Sequence, residues 1–200
     1  MNKTAICNKA LRKLGAKPLM NVDTDDSKES TQCLAVYDEV LSEILREFNW
    51  SFAITRQELN LDITTPLYDW TYQFILPTTP QIIKLLEVVD VGGDEIEYSR
   101  EGNYIMTDES RVFIKYIAKE NNPNRYDSIF IDCFATKIAY EICFTLTSDK
   151  SLQDSLLEQY LFKIGQAKMF NMQENDNVIT GSTYNERRFV TNLNYPKLFQ

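Results

Sequence analysis

The spacing of apolar residues changes twice along this chain, and those two changes constrain the fold more than any other feature. Up to Phe48 apolar residues recur every three or four positions. Between Trp70 and Ala118 they alternate, and after Pro123 the three-and-four spacing returns. The first spacing puts one face of a helix against a core, and the second does the same for a strand. The order is therefore helices, then strands, then helices. It predicts an α+β domain: a four-helix core, two helices from each end of the chain, around a small inserted antiparallel β-sheet.

A first helix is expected over 3–14, with Ile6, Ala10, Leu11 and Leu14 on one face, Gly15 as its cap and Pro18 beyond. A second is expected over 27–48, with Leu34, Tyr37, Leu41, Ile44, Leu45 and Phe48 as its stripe and Asp26 with Glu29 as a capping box. The β insertion spans 51–118 as one sheet of five or six strands. Trp70, Tyr72, Phe74 and Leu76 alternate in one of them. A strand over 82–91 turns at Gly92-Gly93 and returns over 95–99, and two more strands follow at 104–107 and 111–118. Asp127 or Ser128 caps a helix over 127–147. That helix is apolar around most of its circumference, so it lies centrally or faces a neighbouring subunit. Asp149 caps a last helix over 151–172. Leu152, Leu156, Tyr160, Ile164 and Ala167 form its inner stripe, and Leu157, Leu161 and Phe162 widen that stripe. Residues 1–173 then form a single domain.

From Glu174 onward the periodicity stops, yet the end of the chain is too apolar for a plain polar tail. Tyr184, Phe189, Leu193, Tyr195, Leu198 and Phe199 punctuate it, with Arg187 and Arg188 among them. Anchors spaced along a polar segment predict an extended arm over 174–200 that docks on another chain; the alternative is an arm folded back on its own domain.

The chain's 200 residues contain no histidine, which removes every Ser-His-Asp and Cys-His site and the common zinc sets. Cys7, Cys33, Cys133 and Cys143 form no C-x-x-C pair and sit in apolar helical contexts, where free cysteine acts as a small buried hydrophobe. No glycine-rich phosphate loop is present. No apolar run reaches membrane-spanning length, and no signal segment opens the chain, so synthesis in a reducing cytoplasm is expected. Twenty-one bases stand against 29 acids, net −8, which disfavours strong binding to phosphates. The acids concentrate in two places: Asp94, Glu95 and Glu97 on the expected hairpin, and Asp23, Asp25 and Asp26 in the loop before the second helix. The second cluster fails as a calcium loop, because Lys28 stands at the turn glycine and Leu34 at the bidentate glutamate. Basic and aromatic residues interleave only at Arg187-Arg188-Phe189, weak grounds for a nucleic-acid module. Catalytic, cofactor and metal sites are not expected.

The landmarks share an order. Ile6 to Gly15 reads I-C-N-K-A-L-R-K-L-G. A long helix ends in Trp50-Ser51-Phe52-Ala53 with Arg56 just after. Pro66, Trp70, Tyr72 and Leu76-Pro77 follow, then Glu101-Gly102, Thr107-Asp108, and a helix containing Ala135 and Ala139. Over residues 3–170 this resembles the tail tubular protein A family of short-tailed bacteriophages. The resemblance implies a structural virion protein, not an enzyme, without cofactor or membrane partner. It would be made in the host bacterial cytoplasm and built into the tail below the portal vertex. Family members form a dodecameric ring, a head-to-tail adaptor between the portal protein and the tubular tail nozzle, and line the channel through which genomic DNA passes without specific binding. The arm then docks on the portal or a neighbouring subunit, and the acidic loops face the lumen or the nozzle. An adaptor with an added carboxylate-dependent cell-wall or polysaccharide hydrolase activity is the alternative.

Overall fold

A computed structural model of the chain describes residues 1–176 and the side chains up to Met172. The fold mixes α and β, with four helices and two antiparallel sheets. In chain order the elements are α1 (Lys3–Lys13), α2 (Lys28–Glu47), β1 (Ile54–Glu58), β2 (Asn60–Leu61), β3 (Tyr72–Ile75), β4 (Ile82–Val89), β5 (Ser99–Glu101), β6 (Tyr104–Thr107), β7 (Phe113–Ala118), α3 (Ser128–Thr147) and α4 (Lys150–Asp176).

Local chemistry sets the helix ends. Gly15 follows α1 at φ +67°, where the Ala16 amide donates to the Leu11 carbonyl at 3.0 Å and closes the helix. The expected Asp26–Glu29 box does not form, and the cap falls one residue later, on Ser27. The Asp25 carboxylate accepts from the Ser27 amide at 2.8 Å, and Ser27 then caps α2 by accepting from the Ser30 amide at 3.2 Å. Asp127 caps α3, and Asp149 caps α4 through the Leu152 amide at 3.0 Å. The α4 helix runs past residue 173 into the polar stretch, as far as Asp176.

The nearly all-apolar α3 is the hub of the helical layer: α1, α2 and α4 each pack against it. Ten of its residues are buried, among them Phe130, Phe134, Ile138 and Ile142. Its apolar circumference is thus used within the chain and requires no neighbouring subunit. All four cysteines are free and buried here. Trp50 anchors the exit from α2. Its indole N–H donates to the Ile44 carbonyl at 2.8 Å, and its ring meets Phe130 edge-on at 5.0 Å.

The insertion forms two sheets rather than one. The first has the order β1-β7-β4 and the second β2-β3-β6-β5, all antiparallel. The cause lies in β7, which carries buried apolar residues on both faces. Ile117 joins the apolar cluster of the helices, while Ile114, Tyr116 and Ala118 join a second cluster with Phe74, Leu76 and Ile105. Strand periodicity assigns those residues to opposite faces. The first sheet is therefore a wall shared by two cores, with helices on one side and the second sheet on the other. The expected return strand over 95–99 is absent: Glu95 makes only a bridge to Val89, and the chain first pairs again at β5, with β6. Trp70 lies outside β3.

Candidate functional site

The structure places the sequence-predicted residues in three different situations. The docking-arm residues Tyr184, Arg187, Arg188, Phe189, Leu193, Tyr195, Leu198 and Phe199 lie outside the described residues. The two acidic loops are described, and they stand apart. Val22, beside Asp23, belongs to the helical cluster, whereas Val88 and Ile96 tie the hairpin to the second cluster. Within the first loop Asp23 pairs with Lys3 at 3.7 Å, and hydrogen bonds from Ser27 hold the Asp25 carboxyl below the usual carboxylate range. Asp26 is exposed.

The hairpin acids belong to a larger group that the sequence did not reveal. Gly93, at φ +88°, turns the chain, and its amide donates to the Asp90 carbonyl at 3.2 Å. The Asp90 carboxylate accepts from the Asp94 amide at 3.0 Å. Across the second sheet Asp108 accepts from both the amide and the hydroxyl of Thr71, at 2.9 and 2.7 Å. Asp90, Asp94, Glu95, Glu97, Asp108 and Glu109 consequently share a cleft of about 390 Å³. Residues 60–110 hold ten acids against two bases, net −8, which equals the charge of the whole chain. Among the described residues no group of acidic and cysteine side chains is arranged to hold a metal ion. Asp94, Glu95 and Glu97 are exposed. Their field acts on charge that approaches the cleft.

Beside this cleft the connection from β2 to β3, residues 62–71, carries apolar side chains into solvent. Ile63 and Leu67 are bare, and Tyr68 is 76 % exposed. With Pro66, Trp70 and Met106 the loop borders a second cleft of about 440 Å³. Buried apolar area is worth roughly 25 cal/mol per Å², so side chains left this open leave stabilisation unrealised in the isolated chain. Concentrated exposure of this kind marks interaction surfaces.

A third feature is α4. Leu156, Tyr160, Ile164 and Ala167 are buried against the core, as expected. Leu161, Phe162, Met169 and Met172 do not widen that stripe. They are 59, 67, 63 and 54 % exposed and fall on a separate face of the helix. The helix is thus apolar on two sides.

Charge is also organised where α1, α3 and α4 meet. The Asp132 carboxylate on α3 pairs with Lys9 at 2.8 Å and with Lys163, and Lys13 stands 4.0 Å away. Partial burial works against its charge, but the hydrogen bonds and charges of Lys163 and Lys9 outweigh that and hold its pKa at about 2. Lys13 is pushed the other way, downward, by partial burial and by the nearby Lys163.

Several residues of the ordered landmarks hold the framework together. Ser51 donates its hydroxyl to the Asn171 side chain at 2.9 Å, tying the end of α2 to α4. Phe52 packs edge-on against Phe130 at 4.9 Å. Leu76 exchanges backbone and side-chain hydrogen bonds with Asn103, next to Gly102 at φ +57°. Thr107 donates to the Glu97 carbonyl at 2.8 Å, and Asp108 pins Thr71. No helix among the described residues is long and apolar enough to cross a membrane. No protein-family model and no curated protein sequence matches the chain.

Proposed function

We propose that this protein is a structural head-to-tail adaptor of the tail tubular protein A type. It assembles as a ring, a dodecamer by the family pattern, between portal and tail nozzle in the virion, and it lines the DNA channel. The helices serve as a four-helix core that carries the β layer toward the lumen or nozzle, and residues 177–200, after the end of α4, serve as the arm. The observation that carries the reading is the outer face of α4. A long helix with Leu161, Phe162, Met169 and Met172 in solvent, continuing into an aromatic-rich segment, suits a part that is completed only by its neighbours. The acidic field of residues 60–110 suits a conduit wall that repels phosphates and lets DNA slide. The order of the landmarks along the sequence supports the family.

Negative-stain imaging of the purified protein, alone and mixed with its portal, tests the reading. Rings, or density beneath the portal, are expected, and a chain that neither assembles nor binds a portal removes it. Deleting residues 185–200 is expected to leave the unfolding midpoint unchanged and to abolish attachment to the portal. Loss of cooperative unfolding in that truncation would instead put the arm on its own domain.

A further inference from the structure

The charges of this chain are segregated. Residues 60–110 carry net −8, while residues 1–20 carry five bases and no acid. Among the described residues no ion pair joins the two regions. Lys3, Lys9 and Lys13 pair with Asp23 and Asp132, and among the described residues the exposed Arg12 and Lys17 have no ion-pair partner. Three lysines, Lys9, Lys13 and Lys163, converge on the one Asp132 carboxylate, so this face keeps surplus positive charge. The same face is also apolar. Phe170 lies two turns beyond Lys163 on the same side of α4, and its ring is half exposed. The acidic region has the matching composition, with Ile63, Leu67 and Tyr68 standing out of it.

We infer that the β2–β3 loop, with the acids Asp69 and Glu101 that line its cleft, docks on the α1–α4 face of a second copy of this chain, while the hairpin acids from Asp90 to Glu97 stay free for the channel. The contact rests on the ring reading above and names the interface that makes the ring. Both patches combine apolar centres with charge of opposite sign, the composition of a specific protein interface. Charge sets which patch meets which and in what orientation, and apolar side chains supply the area. The two patches differ, so the contact is head-to-tail and propagates around a closed ring or along a filament. Pairing like with like would put two net −8 regions together.

The test uses the full chain and sedimentation velocity. Wild type assembles, and raising ionic strength from about 0.1 to about 1 M, which shortens the screening length from about 10 to about 3 Å, weakens assembly at least tenfold. A loop variant (Ile63→Ser, Leu67→Ser, Tyr68→Ser) and a basic-face variant (Arg12→Glu, Lys17→Glu) change only exposed side chains, and circular dichroism checks that both fold. Each is expected to stay monomeric alone. Mixed, they form a one-to-one dimer and nothing larger, because the pair keeps one working loop and one working face. A monomeric wild type, a variant that assembles like wild type, or a mixture that gives no dimer overturns the contact. A monomeric wild type that still attaches to its portal ends this contact and leaves the adaptor reading standing. A chain that assembles in the expected way but ignores the portal does the reverse.

Discussion

Asp132 stands in the second turn of the apolar α3 without an acid or base one turn away, and the structure gives the reason. It neutralises lysines from two other helices at the point where both cross α3. Its folded pKa of about 2 lies below the ordinary value near 3.9. The stability it contributes is therefore fully present above about pH 4 and is lost as pH falls through about 2. With its side chain 31 % exposed, solvent screening discounts the effect. Asp132→Asn is expected to cost about 1–2 kcal/mol at neutral pH, because three lysines are left facing one another, and to cost little near pH 2. Urea unfolding of both proteins across that range checks it; a pH-independent difference would refute the linkage.

At the scale of elements, α4 decides how its outer face should be read. In a helix with two apolar sides only one contributes to folding. Leu156→Ala is expected to cost about 2–5 kcal/mol, whereas Leu161→Ser with Met169→Ser should change monomer stability by less than about 0.5 kcal/mol. Chemical denaturation compares them, and a larger loss in the second variant would mean that residues 177–200 cover that face at home. The sequence shows why this was illegible. Leu161 and Phe162 directly follow the buried Tyr160, and spacing alone cannot separate one wide stripe from two. By contrast α1, α2 and α3 were legible, since Ile6 to Leu14, Tyr37 to Leu45 and Phe130 to Ile142 step by three and four with a capping group at the start of each helix. The β layer was legible only as alternation. β1 reads I-T-R-Q-E and has no apolar run of its own. It becomes a strand by pairing with β7 across more than fifty residues, a long-range event that local pattern does not carry. The split into two sheets depended on both faces of β7 being buried, and the acidic cleft depended on Asp108 and Glu109 being folded back beside Asp90 to Glu97.

At the scale of the whole molecule there are two cores and one partition. Ile105 lies in the second cluster and Ile138 in the first, both fully buried. Truncating either to alanine is expected to cost about 2–5 kcal/mol, but with different reach. Hydrogen exchange should show Ile105→Ala loosening β2, β3, β5 and β6 alone, and Ile138→Ala loosening every slow amide. Identical exchange profiles would mean that the two cores open as one. The partition has a mechanical consequence as well. β7 is the middle strand of the first sheet, bonded to β1 and β4 along its length. A pull along that strand loads both ladders of hydrogen bonds in shear, all at once, rather than peeling them one by one. Because β6 leads into β7 and β7 into α3, tension between the second sheet and the helices runs along that strand, its strongest direction.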